Sequence, residues 1–134
     1  MSTKPLKDLT IVIASYNSDK FIEDTLRSAL DCKPGHIIIA DDASSDDTLN
    51  ITKRIMKDSC ASLSIVSNPT KKGLTKNWNG AITRVTTPYC LKLDHDDIII
   101  PAYVQDAVDS NSVSRVCCSN PACAWTCHRE LPVL

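Results

Sequence analysis

Two runs, "LTIVIAS" at 9–15 and "HIIIADD" at 36–42, restrict this chain more than any other feature, because neither alternates apolar with polar residues. A strand with one wet face alternates with period two. A run that is β-branched and apolar throughout suits a strand covered on both faces, the condition of a parallel sheet between layers of helix. The segments between and after these runs supply the helices. Ser18 or Asp19 offers an N-cap, and Phe21, Ile22, Thr25, Leu26, Ala29 and Leu30 recur at helical spacing until Pro34 and Gly35 break the pattern. "ASSDD" supplies turn residues before a second helix at 48–59 with Leu49, Ile51, Ile55 and Met56 on one side. "LSIVSN" (63–68) reads as a third strand, "LTKNWNGAITRV" (74–85) as a third helix and "YCLKLD" (89–94) as a fourth strand. The expected fold is α/β, a mainly parallel, right-handed sheet with helices on both faces.

At 134 residues and 14.7 kDa a single core is expected, and a 43% hydrophobic content can fill it. The formal net charge of -1 gives no bulk reason to bind nucleic acid or an anionic membrane, so any anion site has to be local. The longest apolar runs fall far short of the roughly 20 residues of a membrane span. The start, "MSTKPLKDLTIVIAS", carries no small-residue cleavage site, and a cytoplasmic location with reduced thiols is expected. Cys32, Cys60 and Cys90 then need no role beyond packing.

Open parallel sheets bind ligands at the carboxyl ends of their strands. Polar clusters fall at three of those ends: "SYN" (15–17), "DDASSDD" (41–47) and "DHDD" (94–97). Any one of them is an ordinary set of turn and cap residues, but jointly they favour a site. Neither GxGxxG nor GxxxxGK[ST] occurs, which removes the dinucleotide fingerprint and the P-loop. Phosphate would be held indirectly. Asp94 and Asp96, at i and i+2, can turn oxygens to one side if the strand continues briefly, which suits a hard cation such as Mg²⁺ or Mn²⁺ bridging to a diphosphate.

"TIVIASYNSDKFIEDTLRSAL", "IIIADDASSDDT", "NPTKKGLTKNWNGAI" and "YCLKLDHDD", in this order and over about residues 8–104, resemble the nucleotide-sugar-binding half of a family 2 glycosyltransferase of the GT-A fold. The resemblance implies roles residue by residue. Ala14 and Tyr16 would line the nucleoside pocket, with Tyr16 stacked on the base. Of Asp41 and Asp42, one would accept the uracil N3–H of a UDP-sugar. Asn68, Gly73, Leu74, Asn79 and Gly80 match the loop and helix start that close over the nucleotide. Asp94, His95 and Asp96 stand at the metal-binding DxD, with Asp94 also touching the nucleotide and Asp96 as the direct ligand of Mn²⁺ or Mg²⁺.

The resemblance further implies glycosyl transfer with inversion to a saccharide or lipid-linked acceptor, as in cell wall or polysaccharide biosynthesis, with a carboxylate general base. No base is assigned: Asp106 and Asp109 lie on "AYVQDAVDS", which reads as an exposed helix face, and the acceptor half is expected to be missing. Residues 1–108 are thus expected to form an incomplete, truncated donor-binding domain, and 109–134 an irregular Cys-rich tail. A binding module without turnover is the alternative. In the tail, "RVCCSNPACAWTC" (115–127) resembles the two-disulfide framework of short α-conotoxins. That resemblance implies pairing of Cys117 with Cys123 and of Cys118 with Cys127, and a secreted, disulfide-stapled peptide as a further alternative. A zinc site using His128 and a non-native C-terminus are the other readings of the same residues.

Overall fold

The computed structural model describes residues 6–109 and 114–115. Cys117, Cys118, Cys123, Cys127 and His128, with every expectation attached to them, lie outside the described residues. The elements run β1 (Leu6–Ser15), α1 (Ile22–Asp31), β2 (Pro34–Asp41), α2 (Thr48–Asp58), β3 (Leu63–Ser67), α3 (Leu74–Ile82), β4 (Tyr89–Asp94), α4 (Pro101–Asp109) and β5 (Ser114–Arg115). The strands form one sheet in the order β3-β2-β1-β4-β5. β1 pairs in parallel with both β2 and β4, and β2 in parallel with β3. This is the expected α/β architecture of a parallel sheet with helices on both faces.

The pleat divides the apolar runs between two cores. Leu9, Ile11 and Ile13 of β1, with Ile37, Ile39, Leu91 and Leu93, face Ile22 and Leu26 of α1, Ile55 of α2 and Val104 of α4. Val12, Ala14, Ile38 and Ala40 face the other way, onto Trp78 and Ala81 of α3 and onto Val85. Because successive side chains point to opposite faces, only a run apolar at every position can fill both layers. Each fully buried Ile or Leu contributes about 1.5–3 kcal/mol over leaving it exposed. Burial pushes the Cys32 thiol up to about 11, with the Asp31 charge adding to it, and the Cys90 thiol up to about 12. Both are kept protonated and unreactive.

Three boundaries differ from the sequence reading. β2 begins at Pro34, and Gly35 lies inside it: a Cβ there would sit 2.0 Å from the carbonyl oxygen of Lys7, so only glycine admits the neighbouring backbone. α1 begins at Ile22 with no side-chain cap, several residues after Ser18 and Asp19. Ser18 is used otherwise, its N–H donating to Thr48 Oγ1 at 2.8 Å and its hydroxyl to the Tyr16 carbonyl at 3.3 Å. The Asp19 N–H likewise donates to Asp46 Oδ2 at 3.1 Å, so these residues fasten one loop to the next rather than capping a helix. β5 is a short antiparallel pairing of Ser114–Arg115 with Tyr89 and Cys90, made through backbone groups that no side-chain pattern advertises. Among the described residues no helix is long and apolar enough to cross a membrane.

Candidate functional site

From β1 the chain steps outward to β2 and β3, then returns across the sheet to place β4 on the other side of β1. Connections on the two sides of β1 therefore part at its carboxyl end, opening a crevice there. A cleft of about 380 Å³ occupies this position, lined by Ala14, Ser15 and Tyr16 after β1, Asp42 after β2, Lys71, Gly73, Leu74 and Asn77 around the start of α3, and His95 after β4.

The two adjacent aspartates take different positions. Asp41 is the register partner of Ser15 across β1 and β2, and it is fully buried. Its carboxylate accepts the Ser15 hydroxyl at 3.0 Å, the Ser44 N–H at 3.0 Å and the Ser44 hydroxyl at 2.5 Å. Ser44 Oγ in turn accepts the Asn17 N–H at 3.0 Å, and Asn17 Oδ1 accepts the Ser45 N–H at 2.9 Å. Asp41 thus stands under the cleft and joins the loop after β1 to the loop after β2. Asn17 and Ala43, at φ 47 and 62, hold these turns in the left-handed region.

Asp42 reaches the cleft itself. Its Oδ1 accepts the Asn68 amide at 2.9 Å and the Lys72 N–H at 2.8 Å, and its Oδ2 accepts the Gly73 N–H at 2.9 Å. Burial alone would raise this carboxyl. The Lys72, Asn68 and Gly73 donors and the Lys71 charge outweigh it and hold Asp42 below the ordinary aspartate value. Asp42 therefore fastens the 68–73 loop. The Asn68 amide also donates to Asn77 Oδ1 at 3.1 Å, and the Asn77 amide donates to the Ala40 carbonyl at 2.8 Å, which seats the first turn of α3 on β2. Gly73, at φ 93, makes the turn into that helix.

Tyr16 stands at the mouth, 39% exposed, with the Lys71 ammonium 3.8 Å from its ring centre. At the other end β4 stops at Asp94, level with Ala14 of β1, and the Asp97 N–H donating to the Asp94 carbonyl at 3.2 Å closes a turn. The strand does not continue through Asp96, as the i, i+2 argument required. The Asp94 and Asp96 carboxylates are exposed, and no hydrogen bond among the described residues reaches them. His95 faces the cleft, its backbone carbonyl held by the Thr25 hydroxyl at 2.9 Å and its Nδ1 buried without a partner among the described residues.

Of the residues singled out in the sequence, Ala14, Tyr16, Asp42, Gly73, Leu74 and His95 come together around the cleft, Asn68 stands behind it, and Gly80 is not in its lining. Asp94, the last residue of β4, and Asp96 flank the lining residue His95 in sequence but do not themselves line the cleft. Asn79 lies on the exposed side of α3, away from the lining. Ser15, Lys71 and Asn77 were not singled out individually. Asn77 had a readable signal, an amide at helical spacing among the apolar Leu74, Trp78 and Ala81. Among the described residues no three His, Cys, Asp or Glu side chains form a ready cation cage. Two free carboxylates at a strand end still fit a hard cation that keeps waters and takes its other oxygens from a phosphate ligand.

The model of glycosyl transferase family 2 matches residues 10–126, and the chain belongs to that family. The match runs past the boundary expected near residue 108. EpsE of Bacillus subtilis, named as a glycosyltransferase, is 26% identical over 102 residues, which are 75% of this chain and 37% of EpsE. The poly-β-1,6-N-acetyl-D-glucosamine synthase of Staphylococcus aureus is 31% identical over 96 residues, 70% of this chain and 23% of the synthase. The crystal structure of S. aureus TarS 1-349 in complex with UDP-GlcNAc superposes with a TM-score of 0.66 at 26% identity, over 75% of this chain and 30% of TarS. The chain thus spans between about a quarter and two fifths of the relatives it matches.

Proposed function

We propose that this chain is the donor-binding part of a glycosyltransferase that takes a UDP-sugar and a divalent cation and transfers the sugar with inversion to a saccharide or lipid-linked acceptor. The observation that carries the reading is the gathering of Tyr16, Asp42 and Gly73 around one cleft that ends at the "DHDD" turn. The TarS complex with UDP-GlcNAc supports the donor class, and the poly-β-1,6-N-acetyl-D-glucosamine synthase supports a polysaccharide product.

The base would lie on the Tyr16 ring, with its N3–H toward Asp42 Oδ2, which has one internal donor where Oδ1 has two. The ribose would cross the floor at Ala14 and Ser15. Asp94 and Asp96 would hold a Mn²⁺ or Mg²⁺ ion, which when bound offsets the charge growing on the leaving diphosphate. Leu74 and Asn77 would wall the cleft and exclude water. Donor binding is placed within residues 1–108. Asp106 and Asp109 lie on the exposed face of α4 outside the cleft lining, and the general base is assigned to neither.

Titration calorimetry of the full chain with UDP tests the reading. Saturable binding in Mn²⁺ that weakens at least tenfold on chelation is expected, and binding indifferent to the cation, or none, contradicts it.

A further inference from the structure

Among the described residues Lys71 is the one lysine or arginine lining the cleft, and its ammonium rests 3.8 Å from the centre of the Tyr16 ring. That ring is the face the proposed function gives to the nucleobase, so in the free protein a positive charge stands where the base would stack. The backbone beside Lys71 does not yield easily. Asp42 holds the N–H of Lys72 at 2.8 Å and of Gly73 at 2.9 Å, and Asn68 ties the far side of the same loop. The side chain is free to move, being exposed on a flexible four-carbon stem. An ammonium over an exposed ring is held weakly, by about 0.5–1 kcal/mol.

We infer that Lys71 changes places on loading: it covers the Tyr16 ring in the empty cleft, leaves it when a base arrives, and pairs with the phosphates of the same ligand. A nucleoside has to displace the lysine and returns nothing to it. A nucleoside diphosphate displaces it and supplies an anion in a cleft where, among the described residues, Asp42 is the one carboxylate of the lining, while Asp94 and Asp96 flank the lining His95 in sequence. Lys71 is then a specificity-determining residue that makes the site prefer a phosphorylated nucleoside to a bare one. The inference rests on the proposed function.

The test compares uridine and UDP on the full chain in excess Mn²⁺, for the native protein, Lys71→Met and a surface control, Lys76→Met. Methionine keeps the length of the stem and removes the charge. Uridine should bind Lys71→Met about two- to fivefold more tightly, since the covering ammonium is gone. UDP should bind it about fivefold or more weakly, so that the preference for UDP shrinks about tenfold or more. Lys76→Met should keep the native preference. If Lys71→Met weakens both ligands equally, or leaves both unchanged, the exchange is wrong although the site stands. A parallel loss accompanied by a lower melting temperature is read against Lys71→Arg, which keeps the charge and has to retain the native preference if the inference holds. If native protein binds neither ligand, the proposed function itself falls.

Discussion

The two ends of the cleft are built on opposite plans. At the β1 and β2 end the carboxylates are already occupied: Asp41 by Ser15 and Ser44, Asp42 by Asn68 and the N–H groups of Lys72 and Gly73. At and just beyond the end of β4, Asp94 and Asp96 are exposed and among the described residues have no such donors, and His95 likewise keeps a buried Nδ1 unpaired. The backbone of the first end is preorganised, so a flat group has only the Lys71 side chain to displace from the Tyr16 ring there. At the second, the two nearby like charges would gain from a cation that brought phosphate oxygens with it. One end should therefore register in stability as well as binding, and the other in binding alone.

The largest effect expected from this contrast is that of Asp42→Ala. Removing the carboxylate orphans three donors around a side chain only 3% exposed, and should cost about 3 kcal/mol in urea unfolding while weakening UDP by more than tenfold. Unchanged stability would show that the loop does not depend on Asp42. Asp96→Ala should give the complementary result, a loss of tenfold or more in cation-dependent UDP binding with the urea midpoint held. A clear fall in the midpoint would erase the distinction between the ends.

Acid sharpens the same contrast. Asp42 and Asp46 are both held below the ordinary aspartate value of 3.8, burial being outweighed by the donors at Asp42 and, at Asp46, by the Thr48 hydroxyl and the Thr48 and Asp19 N–H groups. A carboxyl with a lowered folded value adds stability that is complete above its unfolded value and disappears as pH falls through the folded one. The urea midpoint should therefore drop from pH 5 to pH 3, with a shallower drop in Asp42→Asn. An equal slope in both proteins would place the acid sensitivity elsewhere. The smallest effect belongs to Ala43→Gly, which relieves a left-handed alanine at φ 62 and should raise stability by about 0.5 kcal/mol in the same assay. A loss would mean that the turn owes nothing to backbone strain.

The parts of this molecule governed by periodicity were open to reading in advance. Ile11, Val12 and Ile13, apolar at consecutive positions, already require helices on both faces, and the strand ends place the polar clusters along one edge. What escaped depends on chain segments far apart in sequence. Ser18 looks like a cap until Thr48, thirty positions away, takes its N–H. Asp41 and Asp42 look equivalent until the register with Ser15 turns one inward and leaves the other to the 68–73 loop. Lys71 read as a loop lysine because nothing local ties it to Tyr16. Asn79 matched a motif, yet only the helix face decides that Asn77 is the asparagine at the cleft.

The central claim is that one cleft, between the ends of β1 and β4, holds base and cation at its two ends. Backbone amide spectra of the full chain, recorded with UDP and Mg²⁺ and then with traces of paramagnetic Mn²⁺, test it most directly. The account predicts shifts at Tyr16, Asp42 and Gly73 on adding UDP, with Mn²⁺ broadening centred on Asp94 to Asp97. Broadening centred away from that turn, for instance around His36 and Ser64 at the opposite ends of the strands, would contradict it.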